Sequence, residues 1–370
     1  MAGCTFAGNS GYWGGAIAAV GNSVVDASCC TMTKNSAIWG GAIHAEFRAA
    51  VTISDSMVEN NDAHSGGAVS GSRWATFLVH TSTFSANRAR RDGGAAYFCF
   101  NAKFVVWRSV IDSNIAVNAA GAVYTEGNSI VYVHGSIITN NRADDDGGGG
   151  FYVQDASVVT TERCTMTRNM AIYGGVAFIT DTANFAAFHS TMSLNRGYTN
   201  GGALFVDESA HIATLGVTVT ENAALYGAVF ADDSSDVVLA HSTFAFNGNH
   251  ASGGVIFQGG ALYLQEYANV HAHNVTLAGN SAARGGAVYT SGASTLVMTD
   301  CSVASNSALE GGGIHACDSS FVNATRCSFE ENVATSLLTS EGGGAVRMYD
   351  SAAVYLSHCD ATLNRALEVK

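Results

Sequence analysis

Apolar side chains alternate with small polar ones over short segments of this chain, and the same segments return about every 27 residues. The residues beside the apolar positions are mostly Ser, Thr, Asp and Ala. Alternation with a period of two, rich in β-branched residues and interrupted by turns, is typical of half-buried strands and not of helices. The sequence therefore predicts many short β-strands, each with one apolar face.

Three apolar columns recur in this way. The first contains Val25, Ala50, Phe77, Phe104, Ile130, Val159, Phe185, Ile212, Val237, Val270, Leu296, Val322 and Val354. The second contains Phe6, Met32, Met57, Phe84, Ile111, Ile137, Met166, Met192, Val219, Phe244, Leu277, Val303 and Phe329. The third contains Ile17, Ile43, Val69, Val123, Leu204, Val229, Leu262, Val288, Ile314 and Val346.

Each repeat also carries an Asn three residues after its second apolar column, and a Gly-Gly phrase follows most of these Asn residues. Asn and Gly are the residues that enter the left-handed backbone region most readily, so each repeat has a turn of fixed geometry. Stacked Asn side chains can pass amide hydrogen bonds from one copy to the next. The predicted ladder consists of Asn9, Asn35, Asn60, Asn87, Asn114, Asn140, Asn169, Asn195, Asn222, Asn247, Asn280, Asn306, Asn332 and Asn364.

Three short strands per repeat, each burying one column, predict an all-β fold, a right-handed parallel β-helix. About 14 coils of about 27 residues form one domain over residues 1–370. Successive coils should lie about 4.8 Å apart, and parallel crossover connections are right-handed in about 98% of cases. The repeat is too short for a β-propeller blade and lacks the 3.6-residue period of a helical solenoid.

The repeats resemble those of a known family of surface proteins. FSAN at Phe84–Asn87, FAFN at Phe244–Asn247 and FEEN at Phe329–Asn332, together with the GGAI, GGAV and GGAL phrases, are similar to repeats of the chlamydial polymorphic outer-membrane proteins. The resemblance implies a right-handed β-helix with a role in cell-surface display and adhesion. We therefore expect an extracellular or cell-surface location, although no signal peptide is visible in this chain.

Charge and hydropathy argue against two classes of partner, nucleic acid and the membrane interior. The formal net charge is −13, from 17 Lys and Arg against 30 Asp and Glu, which argues against nucleic acid. No apolar run approaches the roughly 18 residues of a membrane span. Neither end shows the polar cap usual in solenoids, so we expect either part of a longer array or self-association through open strand edges.

A ring-bearing column is the strongest candidate for binding. Its parity is opposite to that of the third apolar column, so we expect it to face solvent. The stripe could bind a glycan or a protein, while stacking of the rings on one another is a sufficient structural alternative. The predicted aromatic stripe consists of Tyr97, Tyr124, Tyr152, Phe178, Phe205, Phe230, Tyr263 and Tyr289.

A hydroxyl-rich column, four residues before most ladder Asn, suggests a minor alternative. It includes Ser56 and Ser136 and, with Thr31-Met32-Thr33 and Thr165-Met166-Thr167, resembles the paired Thr rows of ice-binding β-solenoids. Thr is also an ordinary strand residue. Ice binding is therefore kept as a third hypothesis.

Catalysis and metal binding have weaker support. A polysaccharide lyase or hydrolase needs carboxylates gathered in one groove, whereas the dense acidic clusters, Asp144-Asp145-Asp146 and Asp232-Asp233, lie in or beside turns. A solvated loop is favoured over a Ca²⁺ site at Asp144, Asp145 and Asp146. His271 and His273 share a strand face, but two imidazoles are too few for a metal site. We expect no cofactor and no enzymatic activity.

Six of the nine Cys share one column, five residues before a ladder Asn, where Ser stands in other repeats. Small buried side chains explain this column. Cys301, Cys327 and Cys359 fall on successive coils, within the Cα separation of a disulfide, so cross-coil bridges are the alternative.

These patterns together predict a non-enzymatic surface scaffold for adhesion or filament-like assembly. It would bind through the aromatic stripe and through a variable loop edge whose longest insertions follow Asn247 and Asn332. The alternative is a β-helix that binds or cleaves polysaccharide.

Overall fold

A computed structural model describes residues 1–248, 257–335 and 342–367. The chain consists of two compact units, Met1–Ala186 and Ala187–Lys370. Within the described ranges the regular secondary structure is entirely β-strand, which confirms the all-β prediction. The single-domain organisation stays a prediction, and most of the two longest insertions, at 249–256 and 336–341, lies outside the described residues.

Each coil begins, after its glycine pair, with a first strand that lies against the core. These first strands are Ile17–Val20, Ile43–Glu46, Val69–Ser72, Ala96–Cys99, Val123–Thr125, Phe151–Val153, Ala177–Ile179, Leu204–Val206, Val229–Ala231, Leu262–Leu264, Val288–Thr290, Ile314–Ala316 and Val346–Met348. The second strand has five residues in every coil where it is described. The second strands are Val24–Ser28, Ala50–Ser54, Thr76–His80, Lys103–Trp107, Ile130–His134, Val158–Glu162, Asn184–Phe188, His211–Leu215, Asp236–Ala240, Asn269–His273, Thr295–Thr299, Phe321–Thr325 and Ala353–Ser357.

The third strand carries the hydroxyl-rich column. The third strands are Thr5–Ala7, Thr31–Thr33, Met57–Glu59, Thr83–Ser85, Val110–Asp112, Ile137–Thr139, Thr165–Thr167, Thr191–Ser193, Thr218–Thr220, Thr243–Ala245, Thr276–Ala278, Ser302–Ala304, Ser328–Glu330 and Asp360–Thr362. Some coils add a short fourth strand between the Asn and the glycines, which the sequence did not predict. The fourth strands are Ser36–Trp39, Asp62–Ser65, Arg88–Ala89, Ile115–Ala116, Arg142–Ala143, Met170–Tyr173, Arg196–Asn200, Ser307–Ala308, Val333–Ala334 and Arg365–Ala366.

Within each unit, equivalent strands of successive coils pair in parallel and in register. In the first unit Phe77 pairs with Val51 on one side and with Phe104 on the other. In the second unit Val237 pairs with Val270. Identical positions therefore form continuous files of side chains, and the apolar files fill the interior of the coils.

The Asn ladder is present, with two corrections to its membership. In the first unit it consists of Asn9, Asn35, Asn61, Asn87, Asn114, Asn141 and Asn169, and in the second of Asn195, Asn222, Asn247, Asn280, Asn306, Asn332 and Asn364. Each link repeats one geometry. The side-chain amide of Asn87 donates to Oδ1 of Asn114 at 2.9 Å, and its backbone N–H donates to the same oxygen at 3.0 Å.

The assignment of Asn60 and Asn140 to the ladder was wrong by one residue. Both are exposed and have positive φ angles, 57° and 54°, because they form the turn before the ladder position. Asn61 and Asn141 are the buried members. The Asn-Asn pair at each site fits the sequence motif in two registers, so the motif alone could not choose between them.

The same one-residue shift displaces four predicted core residues. Met57 and Ile137 are 47% and 44% exposed, whereas their neighbours Val58 and Ile138 are fully buried. Likewise, Ala50 and Ile130 point away from the core. Val51 and Val131 are buried in their place.

The Cys/Ser column forms a second internal ladder, called here the Ser/Cys file. In the first unit it contains Cys4, Cys30, Ser56, Ser82, Ser109, Ser136 and Cys164; in the second it contains Ser190, Val217, Ser242, Val275, Cys301, Cys327 and Cys359. The backbone N–H of Ser56 donates to Oγ of Ser82 at 3.1 Å, and that of Ser82 to Oγ of Ser109 at 3.1 Å. The prediction that this column holds small, mostly buried side chains is therefore confirmed. Ser56 and Ser136, predicted to face outward, belong here instead.

Candidate functional site

The predicted aromatic stripe is a stack of rings and not an open surface. Tyr97 and Tyr124 are each 8% exposed and Phe230 is 2% exposed, so the expectation of a solvent-facing column was wrong. In the first unit the ring centroids of Tyr97 and Tyr124 lie 5.3 Å apart at an interplanar angle of 11°. Tyr124 stacks on Tyr152 at 5.1 Å, and Tyr152 on Phe178 at 4.8 Å.

The second unit contains an equivalent stack. Phe205 lies on Phe230 at 4.9 Å, Phe230 on Tyr263 at 4.8 Å, and Tyr263 on Tyr289 at 5.0 Å. His315 continues it at 5.3 Å from Tyr289. The rings cover one another because in-register coils repeat at nearly the spacing that offset-stacked rings prefer.

The ring stack of the first unit is interrupted at one coil. Ser70 occupies the ring position of its strand and pairs in register with His44 on one side and Tyr97 on the other. Two residues further along the same outward face is Ser72, which pairs with Cys99. The strand Val69–Ser72 thus presents only small side chains between two strands that carry large ones.

A groove of about 220 Å³ opens above this strand and is called here the Ser70 groove. It is lined by Trp13, Trp39, His44, Glu46, Ser70, Gly71, Ser72, Arg73, Tyr97, Cys99 and Phe100. Gly71 faces the other way, because a Cβ atom there would meet the ring of buried Phe98 at 2.5 Å. Aromatic lining with a few polar groups is the usual composition of a ligand pocket.

Two tryptophans line the Ser70 groove. Trp13 is 41% exposed, and its ring is stacked near Trp39 with centroids 6.1 Å apart at 16°. Trp13 also contacts His44 at 4.6 Å, and Trp39 contacts Tyr97 at 5.4 Å. The sequence analysis missed both residues. The signal was available in the two copies of Trp-Gly-Gly-Ala-Ile at Trp13 and Trp39, the one place where Trp repeats with the coil period.

His44 lines the groove and carries a buried polar atom without a partner. Its Nδ1 lies 2.7 Å from Oγ of Ser70, whereas its Nε2 is buried without a hydrogen-bond partner. Burial lowers the pKa of His44 to about 4, with a smaller contribution from the charge of Arg73. The imidazole is therefore neutral at pH 7 and can donate or accept one further hydrogen bond.

An ion pair also lines the groove. Nη1 of Arg73 is 2.9 Å from Oε2 of Glu46, and the guanidinium lies 4.7 Å above the ring of Phe47. Cys99 on the wall is not a nucleophile, because burial raises the pKa of its thiol to about 12. The hydroxyl of Tyr97 donates to Glu126, and burial raises the pKa of that tyrosine.

The second unit has a polar pocket of about 340 Å³ beside the last ring of its stack. The carboxylate of Glu310 accepts from Arg347 and lies 3.4 Å from Nε of Arg284 and 3.7 Å from Nδ1 of His315. The hydroxyl of Tyr289 and the thiol of Cys317 are 3.1 Å apart. Glu310 thus pairs with both arginines of this pocket.

The acidic residues predicted from sequence do not form a comparable site. Asp144 forms an ion pair with Arg142 at 2.6 Å, Asp145 is exposed, and burial raises the pKa of Asp146. His273, which shares a strand with His271, lies 3.7 Å from a carboxylate oxygen of Asp300. Over the described ranges no group of three or more His, Cys, Asp or Glu residues is arranged to hold a metal ion.

The coils and the groove define the class of this protein, a parallel β-helix with a ring-lined groove on its outer face. A family model for the right-handed β-helix region matches residues 1–191 and 188–367. The chain therefore belongs to the right-handed β-helix family, which includes pectate-lyase-like enzymes as well as non-enzymatic proteins.

Comparison with individual proteins adds no closer assignment. No curated protein matches the chain, and no solved structure matches it. The family match supports the fold that the chlamydial repeats implied but does not extend to those surface proteins themselves. Among the described residues, no helix long and apolar enough to cross a membrane was found.

Proposed function

We propose that this protein is a non-enzymatic β-helical scaffold that binds a glycan at a cell or extracellular surface through the Ser70 groove. The observation that carries the proposal is the gap in the ring stack at Ser70, where a groove lined by Trp13 and Trp39 opens. Elsewhere in the two stacks the rings cover one another, so their faces offer little area to a ligand.

The chemistry of the lining supports a sugar ring as the ligand. A pyranose has apolar C–H faces and hydroxyl groups around its edge. The groove offers ring surfaces at Trp13 and Trp39 for such faces. The hydroxyl of Ser72 and the ion pair of Arg73 and Glu46 are polar groups in the lining for edge hydroxyls.

The acidic residues that line the groove are too few for cleavage, which favours a binding role. Glycoside hydrolysis requires two carboxyl groups on either side of the scissile bond. Of the residues that line the Ser70 groove, Glu46 is the carboxylate, and it is already paired with Arg73. The resemblance of the repeats to chlamydial surface proteins adds support for adhesion at a surface.

The test is binding of the whole protein to an array of glycans, followed by calorimetry with the best ligand. Trp39→Ala removes one wall, and we expect affinity to fall at least 10-fold. Trp74→Ala is the matched control, since Trp74 is 58% exposed and does not line the groove. Equal affinity of both variants and the parent protein would refute the groove as the site, and the absence of any glycan ligand would refute the proposed function.

A second candidate, ice binding, is favoured by one observation confined to the second unit. There the outward hydroxyl column runs without a break through Thr191, Thr218, Thr243, Thr276, Ser302 and Ser328. In the first unit Met57, Val110 and Ile137 interrupt it. Thermal hysteresis that is lost in Thr243→Tyr would support this candidate; no hysteresis in the parent protein would remove it.

A further inference from the structure

Three cysteines occupy consecutive coils at the end of the Ser/Cys file in the second unit. The residues around Cys301 and Cys327 are paired in register, Thr299 with Thr325 and Ser302 with Ser328. In-register parallel neighbours have Cα atoms about 4.8 Å apart. That separation is within the range of about 4.4 to 6.8 Å found in disulfides.

The two thiols also point the same way. Sγ of Cys301 donates to the carbonyl oxygen of Thr299 at 3.3 Å, and Sγ of Cys327 donates to that of Thr325 at 3.4 Å. The side chains therefore have equivalent orientations on adjacent coils. Both residues are free thiols and are buried, with exposures of 3% and 2%.

The thiols interact with each other. Side-chain contact with Cys327 lowers the pKa of Cys301, and the same contact raises the pKa of Cys327. Cys359 repeats this geometry one coil further along, because its Sγ accepts from the backbone N–H of Cys327 at 3.3 Å and donates to the carbonyl oxygen of Ser357 at 3.4 Å, but it is only partly buried. Cys301 and Cys327 are therefore the two neighbouring thiols that are both buried within the file, and the direction of the two pKa shifts favours Cys301 as the attacking thiolate.

We propose that Cys301 and Cys327 form an oxidisable pair, which a peroxide converts into a disulfide that joins two coils. The thiolate of Cys301 attacks one oxygen of hydrogen peroxide, which breaks the O–O bond and gives a sulfenic acid and hydroxide. The thiol of Cys327 then attacks that sulfur, its proton leaves with the hydroxyl group as water, and the S–S bond forms. The net change is two thiols and one peroxide to one disulfide and two waters.

The disulfide would act as a staple on the folded chain. It closes a loop of about one coil, which restricts the unfolded chain and so raises the melting temperature of the oxidised protein by several degrees. The pair is independent of the Ser70 groove, which lies in the other unit. Oxidation is therefore expected to leave glycan binding unchanged.

The test treats the whole protein with hydrogen peroxide, alkylates the remaining thiols, digests it without reduction and maps the peptides by mass spectrometry. We expect a linked pair of peptides containing Cys301 and Cys327, and a melting temperature that rises on oxidation and returns on reduction. Cys301→Ser and Cys327→Ser should each abolish both effects. Serine is a matched replacement because Ser82 and Ser109, in the Ser/Cys file of the first unit, donate in the same way to the carbonyl oxygen two residues earlier.

Three outcomes would overturn the inference. The first is that both thiols are alkylated separately after peroxide treatment; the second is that Cys301 is oxidised to sulfinic acid without a link. The third is a dominant link from Cys327 to Cys359. Cys317→Ser, which changes a thiol outside the file, should leave the linked peptides in place.

Discussion

Ser70 and Tyr97 are paired in register on neighbouring coils, and the absence of a ring at Ser70 is what leaves space beside Tyr97. On its other side Tyr97 stacks on Tyr124 at 5.3 Å. One small residue in a file of rings thus creates the groove. The file stabilises the coils wherever it is complete and offers a binding surface where it is not.

Filling this gap should abolish binding without harming the fold. Ser70→Tyr places a ring between His44 and Tyr97, where stacking adds about 0.5 to 1.5 kcal/mol to an aromatic pair. Loss of the hydrogen bond between Ser70 and His44 offsets this gain, so we expect the free energy of unfolding to change by less than about 1 kcal/mol and glycan affinity to fall below detection, measured by thermal unfolding and calorimetry. Retained affinity in a folded Ser70→Tyr protein would contradict the location of the site.

The corrected register of the ladder is directly testable. Asn61→Ala removes a buried amide and leaves the backbone N–H and Nδ2 of Asn35 without their acceptor, so we expect a loss of about 3 kcal/mol. Asn60→Gly is the matched control, because glycine accepts the positive φ of that exposed turn, and it should cost less than about 1 kcal/mol. Denaturant unfolding of both variants measures the difference; the opposite order would restore the register predicted from sequence.

Stability should depend on pH through buried histidine. Burial lowers the pKa of His315 to about 4 from its ordinary value of 6.5. Between these values the unfolded chain binds more protons than the folded one, so stability is complete above pH 6.5 and is lost as the pH falls toward 4. The contribution of one such residue is about 2 to 3 kcal/mol.

His315→Phe removes the titrating group while keeping a ring against Tyr289. We expect the unfolding free energy of this variant to change less between pH 7 and pH 4.5 than that of the parent protein, measured by urea unfolding. His271→Phe, at an exposed position, serves as the control and should follow the parent. A parallel pH dependence in His315→Phe and the parent would show that this histidine contributes nothing.

The glycine that begins the Gly-Gly phrase should be irreplaceable. Gly40 has a φ of +65°, and a Cβ atom there would lie 2.0 Å from the carbonyl oxygen of Ile43. Gly21 has a φ of +74° but has no atom within 4 Å of such a Cβ. Gly21→Ala should therefore cost about 1 kcal/mol for its backbone conformation alone, and Gly40→Ala several times more. Similar melting temperatures for the two variants would show that close backbone contact is not what requires glycine at the first position of the Gly-Gly phrase.

The sequence by itself determined the fold. A period of two inside a period of about 27 residues allows only short strands stacked coil on coil, and the Asn and Gly phrases mark the turns. It also identified the rings, the Asn ladder and the Ser/Cys file as columns. At Asn60 and Asn140 it failed by one residue, because an Asn-Asn pair satisfies the motif twice and only the burial of Val58 and Ile138 decides which partner is inside.

The tertiary structure alone decided which columns are accessible. Parity places the ring of Tyr124 away from the core, but in-register stacking on Tyr97 and Tyr152 buries it, and parity contains no information about that contact. In the same way, Trp13 and Trp39 belong to another file of the coil. They line the groove at Ser70 only because the chain turns between that file and the first strand of the coil. A column in the sequence shows which residues are neighbours on successive coils. Which files contact each other across a turn depends on how the chain folds within one coil, and only the tertiary structure shows that.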